Sequence, residues 1–329
     1  MGAGIAGLIA ARTLARAGAE AEAEAEAEIA IIVVDKSRGV GGRMATRRTG
    51  DAVFDHGAQF FTARSERFNA EVGDWVTAGV AAPWFTGVLG AAGVIEPDDV
   101  VRHRGVPAMT GIAKHLAVDL DVRLSVRVES VRLVDQRWHV EVADGEVIVA
   151  DAAIFTAPAP QTLAMLESGS IDPHDRERLE QIAYDPCIAV LAVLDRSPGI
   201  DNPGARRPSG EPVGWYADNQ AKGVSEVPAL TVHAGPDTSR AIWDADDEVV
   251  IADLLDGVTL GGARVSGAHV QRWRYARTIT SLPEPCMVLQ GGAPAVVAGD
   301  GFGRGGLIES AALSGLAAAS AIADLLGIG

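Results

Sequence analysis

Gly2-Ala3-Gly4-Ile5-Ala6-Gly7 reads G-x-G-x-x-G, and this turn, with the helix and strand after it, narrows the fold more than any other stretch of the chain. Leu8 to Ala17 is rich in Ala and Leu and predicts a helix, with Gly18 placed to end it. Ile29-Ala30-Ile31-Ile32-Val33-Val34 is a continuous apolar, mostly β-branched run, the pattern of a strand buried on both faces, and it ends on Asp35. Turn, helix, buried strand and acid together describe a dinucleotide-binding unit. Gly2 permits the tight turn, Gly4 lets the backbone approach a pyrophosphate, and Gly7 lets the helix sit close to the sheet. The helix start at Ile5 and Ala6 turns unpaired N–H groups toward the phosphates. The Asp35 carboxylate is placed for the two hydroxyls of an adenosine ribose and disfavours a 2′-phosphate there.

The unit departs from its usual form twice. Only Met1 precedes Gly2, where a strand of about five apolar residues normally stands, so the first strand of the expected Rossmann-like sheet is missing. We expect the ancestral gene product to begin several residues earlier, with an apolar strand ahead of Gly2. Asp35 also lies 28 residues after Gly7, against a usual spacing of about 20. The excess is an Ala-Glu tract from Glu20 to Glu28. Glu at every second position spreads charge around a helix axis, which predicts a solvated extension or a disordered loop.

Directly after Asp35 comes Lys36-Ser37-Arg38-Gly39-Val40-Gly41-Gly42-Arg43-Met44-Ala45-Thr46. Its glycines let the backbone wrap a phosphate, and Arg38 and Arg43, with Lys36 beside them, complement the charge. Together with the first motif, this R-G-x-G-G-R-x-x-T resembles the FAD-binding signature of the flavin amine oxidase and phytoene desaturase superfamily. Phe54-Asp55-His56-Gly57-Ala58-Gln59-Phe60-Phe61-Thr62 is similar to the D-x-G-A-Q-[YF]-F-T of its renalase-like branch. Gly105 to Met109, Arg272 to Ala276, Ala298 to Asp300 and Glu309 to Gly315 resemble further segments of that branch in the same order.

The resemblance implies FAD contacts from Gly2, Gly4, Ile5, Ala6, Gly7, Asp35, Lys36, Arg38, Gly41, Gly42, Arg43, His56, Gly57, Ala58 and Gln59. It adds the backbone of Val128, the Gly299-Asp300 pair and the helix start at Leu307. It implies an α/β chain with two domains. The first is a Rossmann-like FAD-binding domain of three-layer ββα architecture, discontinuous over residues 1–50, 101–165 and 281–329. The second is an α+β substrate domain with a mostly antiparallel sheet over residues 51–100 and 166–280. From about Val122 to Val149, alternating stretches (Val122 to Leu133 and Trp138 to Val142) with turn signals at Asp135-Gln136 and Asp144-Gly145 predict a small antiparallel meander in the first of these. Ile188 to Leu194, Leu230 to Ala234, Met287 to Gln290 and Ala295 to Ala298 read as strands, and Leu307 to Leu326 as a long helix.

The implied activity is an FAD-dependent oxidase. It takes a hydride from a small, flat reduced substrate, by resemblance an isomeric dihydronicotinamide form of NAD(P)H, and passes the electrons to O2. The flavin carries the chemistry, so no catalytic side chain is assigned. Phe60, Trp215, His233, Trp273 and Tyr275 are candidate substrate-facing residues, with a satisfied core role the plainer reading of His233. A flavin amine oxidase is the alternative. Its N5-facing lysine has no clear counterpart among Lys36, Lys114 and Lys222, and Phe302 is the only ring near the C-terminal flavin motif. A second alternative is a nucleotide-binding protein with weak or no turnover, because of the missing strand. An NAD-using dehydrogenase does not need the second glycine-arginine motif.

Composition sets outer limits. A net charge of −16 argues against a nucleic-acid partner, although about a third of that excess is the five glutamates of the Ala-Glu tract. The cysteines, Cys187 and Cys286, form no disulfide framework or metal cluster. Their contexts give no sign of covalent flavin attachment, so non-covalent FAD is expected. We expect a cytoplasmic protein, with no signal peptide, no membrane partner and no apolar run approaching the ~18 residues that span a bilayer.

Overall fold

The computed structural model describes residues 1–23, 29–90 and 93–328. The chain divides into two compact units. Unit 1 comprises residues 1–42, 113–183 and 278–329, and unit 2 comprises residues 43–112 and 184–277. The sequence reading places the divisions at 50, 100, 165 and 280 instead.

In unit 1, the strand Ile32–Asp35 pairs in parallel with Asp121–Leu124. The strand Ala153–Phe155 pairs in parallel with Ala295–Val297, which also takes Met287–Val288 antiparallel. Met1 and Gly2 stand between these two groups. The Met1 amino group donates to Ile154 O at 2.6 Å, and Thr156 N donates to Met1 O at 3.0 Å. On the other side, Gly2 N donates to Val34 O at 2.8 Å. Two residues thus hold the place of the expected first strand. The apolar run from Ile29 is correspondingly buried only at its end: Val33 and Val34 are buried, whereas Ile32 is 37% exposed. The expectation of burial on both faces is corrected there, because Gly2 supplies a backbone neighbour on that side only at Val34.

The first helix runs Ile5–Ala23, through Gly18 rather than ending at it. Ala and Glu after Gly18 are strong helix formers and carry the helix on. Gly18 serves packing instead: a Cβ there would lie 3.1 Å from the Ile29 side chain. The charged-tract expectation falls partly on this helix, and residues 24–28 lie outside those described. The helix Ile308–Leu326 packs against the first one, burying Ala312, Ala318, Ala319 and Ile322 with Ala10 and Leu14. A Cβ on Gly315 would overlap the carbonyl oxygen of Ala6, so glycine sets how closely the helices approach. This helix corrects the membrane expectation in one respect. It is long and apolar enough to span a bilayer, although 56% of that window is buried within the fold.

The predicted meander is shorter at its start and ends where expected. Its strands are Val128–Val134, Arg137–Val142 and Val147–Ala150. Asp121–Leu124 belongs to the parallel pair instead. Between them Ser125 has φ +59°, and Ser125 N and Val126 N donate to Ser37 O and Asp35 O. Apolar alternation continues across this turn, so a period of two does not reveal it.

Unit 2 is built on an antiparallel sheet ordered Ala205–Arg206, Val213–Asp218, Ala229–Ala234, Ala183–Leu194 and Val265–Thr280. Ile188, Val190, Tyr216, Leu230 and Val232 pack on one face against Val250 and Leu254 of the helix Asp247–Asp256. Ala189, Leu191 and Ala229 pack on the other against Ala52 and Phe54 of the hairpin Thr46–Thr49/Ala52–Asp55. Burial of both faces explains why 188–194 is uniformly apolar. A long hairpin, Ala81–Leu89/Ile95–Gly105, and the helix Glu66–Thr77 complete the unit.

Candidate functional site

In unit 1 the glycine turn and the Asp35 loop brace each other. Ala3 N donates to Asp35 Oδ2 and Ser37 N to Asp35 Oδ1, both at 2.7 Å, and Gly41 N donates to Ala3 O at 2.8 Å. Asp35 therefore fixes both loops, a role the spacing did not announce. Gly2 has φ +109°, and a Cβ there would stand 2.6 Å from Thr156 Oγ1. A Cβ on Gly7 would overlap the Gly2 carbonyl oxygen. Around Gly4 there is nothing within 4 Å of a Cβ position, so the side that should admit phosphate is open. The first helix begins next to it, at Ile5 and Ala6. A Cβ on Gly42, which has φ +52°, would lie 3.4 Å from Gly4 Cα, while Lys36 and Arg38 are exposed on the same loop. Val128 opens the meander two residues after Val126 N bonds Asp35 O.

At the far end of the chain, Gly299 has φ +134° and its N–H donates to Ser314 Oγ at 2.9 Å. Asp300 is buried, accepts from Thr278 Oγ1 at 2.7 Å, and through its carbonyl accepts from Gly306 N. Leu307 precedes the helix Ile308–Leu326 and caps it with no side-chain hydrogen bond. The open turn at Gly4, the braced acid and this helix start fit the dinucleotide the sequence implies.

In unit 2 the D-x-G-A-Q motif lies on the loop 55–60. Asp55 is fully buried and paired with Lys222, Nζ to Oδ2 at 2.8 Å. Its Oδ1 accepts from Thr46 Oγ1 at 2.7 Å and Met109 N at 3.0 Å. Its carbonyl accepts from Thr231 Oγ1 and Gln59 Nε2, and its N–H donates to Asn219 Oδ1. Ala58 N donates to Arg43 O at 2.8 Å, and a Cβ on Gly57 would overlap that same oxygen. Arg43 in turn donates to Tyr275 O at 3.3 Å. Sequence reasoning found Asp55 as a motif letter but missed Lys222, Asn219 and Thr231, which have no local signature.

The candidate substrate residues gather on the sheet face that meets this loop. Trp215 and His233 are cross-strand partners. His233 Nε2 donates to His56 O at 3.1 Å, and Trp273 Nε1 donates to the same oxygen at 3.1 Å. The His56 and Trp273 rings stack at 5.3 Å and 15°. Phe60 touches Trp84, Phe85 and Trp215, and Tyr275 meets Tyr184 edge-on. His233 is half-buried and holds the loop through this bond.

Burial sets the charge of this region. It pushes His56 and His233 down to about 4, with Arg47 adding to the effect at His56 and Lys222 at His233. The unfolded chain takes up both protons near pH 6.5, so between there and about pH 4 it binds more protons than the folded protein. Stability contributed by these groups is therefore intact above about 6.5 and is lost as pH falls toward 4, by up to about 1.4 kcal/mol per pH unit for each histidine. Urea unfolding at pH 7 and pH 5 measures this, and equal midpoints would overturn it.

Residues 98–323, more than half the chain, match the model of the family described as flavin containing amine oxidoreductase, and residues 1–73 match an NAD(P)-binding Rossmann-like domain. Among solved structures, cyclohexylamine oxidase from Brevibacterium oxydans is similar at 13% identity and TM-score 0.71, over 99% of this chain and 98% of that one. A putrescine oxidase bound to putrescine is similar at 13% identity and TM-score 0.69, over 98% of each chain. The fold and the dinucleotide turn are those of a flavin-dependent oxidoreductase. The chain belongs to the flavin containing amine oxidoreductase family, and FAD is its cofactor.

Proposed function

We propose that this protein is a renalase-like oxidase that takes a hydride from an isomeric dihydronicotinamide form of NAD(P)H and passes the electrons to O2. The observation that carries the reading is the character of the sheet face in unit 2. Phe60, Trp215, Trp273 and Tyr275 offer flat apolar surfaces. Two imidazoles beside them stay unprotonated down to about pH 4. A place that refuses a proton on two histidines is equally unfavourable for an ammonium group. Asp55, the buried carboxylate that acts on His56, is already paired with Lys222. A neutral, flat hydride donor suits these surroundings better than a charged amine.

When bound, FAD supplies the hydride acceptor at N5 and the route to O2. The protein's own part is placement. In unit 1, Asp35, the glycine turn and the helix start at Ile5 would hold the ADP portion, and Asp300 with the helix start at Leu307 the ribityl and ring portion. Neither cysteine is poised for a covalent link. Burial pushes the Cys187 thiol up to about 12, and burial with Glu284 raises Cys286. FAD should therefore dissociate on denaturation.

The test is optical. Purified protein should show flavin bands that bleach anaerobically with a 2- or 6-dihydronicotinamide and return with O2, and an amine should leave them unchanged. Bleaching by putrescine or cyclohexylamine alone would transfer the assignment to the amine oxidases that the fold resembles. A folded but colourless protein would favour nucleotide binding without turnover.

A further inference from the structure

The loop 56–59 of unit 2 is held closely by its neighbours, yet two of its side-chain atoms are buried with no hydrogen-bond partner among the described residues: His56 Nδ1 and Gln59 Oε1. Each residue is only 6% exposed. Buried polar atoms are normally paired, and an orphan at a functional loop marks where a ligand completes the bonding. The orientation of the Gln59 amide is set by its surroundings. Its nitrogen donates to Asp55 O at 2.6 Å and Gly57 O at 3.1 Å, so a flip would set oxygen against two carbonyls. Oε1 is therefore an obligate acceptor. His56 is kept neutral by its burial and carries a single ring proton. The stack on Trp273 and the two N–H donors on the His56 carbonyl hold that residue in place.

The loop thus presents one fixed acceptor and, three residues away, one ring nitrogen able to donate. A primary carboxamide carries the inverse set on one planar group, an N–H donor and a C=O acceptor. Resting on the dihydronicotinamide reading above, we propose that Gln59 and His56 are the residues that recognise the carboxamide of the substrate. The amide N–H donates to Gln59 Oε1, and the carbonyl accepts from His56 Nδ1–H. A protonated amine offers donors only and leaves the imidazole N–H unanswered. A ring bearing an acetyl group instead of the carboxamide satisfies His56 but leaves Gln59 Oε1 buried and unpaired, which a site built for hydrogen bonding rejects strongly.

The experiment uses the FAD-loaded protein and compares flavin bleaching by an isomeric dihydronicotinamide with bleaching by the same ring carrying a 3-acetyl group. The wild type should favour the carboxamide by about 100-fold. Gln59→Met should bring the ratio to within about threefold. His56→Phe, which keeps a ring against Trp273, should slow the carboxamide and acetyl substrates alike, because both lose the same donor. Each variant is read at saturating FAD and should melt like the wild type. An unchanged ratio in Gln59→Met overturns the proposal. If neither ring bleaches the wild type, the substrate reading itself has failed. The pair is then read from the flavin absorbance change on adding nicotinamide: a tenfold weaker response in Gln59→Met sustains it, and an equal response overturns it.

Discussion

Replacing Lys222 by Met should destabilise the protein by about 3–5 kcal/mol, because it strands a carboxylate that has no exposure to water. Lys222 and Asp55 are both fully buried, and their contact at 2.8 Å is the only ion pair either makes among the described residues. Desolvation favours the neutral lysine, and the carboxylate opposes this by holding the proton on Nζ. Taking away the cation leaves Asp55 either charged in an apolar site or protonated at neutral pH. Either outcome also disturbs Thr46 and Met109, whose Oγ1 and N–H donate to the same carboxylate. In a thermal melt the loss is about 10 °C for a unit of this size. The double variant Lys222→Met with Asp55→Asn removes both charges and keeps an acceptor for those donors, so it should recover more than half of the loss. Equal melting of the single and double variants would show that the pair is not the source.

The second large effect separates two glycines that share a motif. Gly7→Ala should cost at least about 2 kcal/mol. The added methyl overlaps the Gly2 carbonyl and comes within 2.9 Å of Thr156 Oγ1. Alanine gains about 1 kcal/mol in helix propensity, which is too little to offset a clash with backbone that cannot rotate away. Gly4→Ala should behave differently, because nothing lies within 4 Å of its Cβ position. Its melting temperature should stay near the wild type, with a change within about 1 kcal/mol, while FAD content after purification falls at least tenfold. Retained FAD in Gly4→Ala would mean that the open side of the turn is not where phosphate sits.

These residues also show what was legible in the sequence. The glycine turn, the strand ending on Asp35 and the long C-terminal helix were legible because each is local: spacing and periodicity act over fewer than twenty residues. The Lys222–Asp55 pair was not, because 167 residues separate its members. The same holds for the two donors on His56 O, which come from 177 and 217 residues away. A buried lysine and a surface lysine look alike in a string of letters, and only the fold tells them apart. Gly18 misled for a related reason. Glycine marks a helix end or a close contact equally well, and the contact with Ile29 decides between them. The turn at Ser125 was hidden because the strands on either side keep the same alternation.

The Gly315–Ala6 contact has a consequence for the order in which the protein is made. The helix Ile5–Ala23 packs on Ile308–Leu326, which is translated about 300 residues later. The strand Ala295–Val297 that completes the parallel pair with Ala153–Phe155 likewise follows its partner by about 140 residues. Every segment of unit 2 has been translated once Arg277 is added. During synthesis, then, the sheet of unit 2 can form while the dinucleotide turn still waits, its apolar helix uncovered until residues 308–326 have been added.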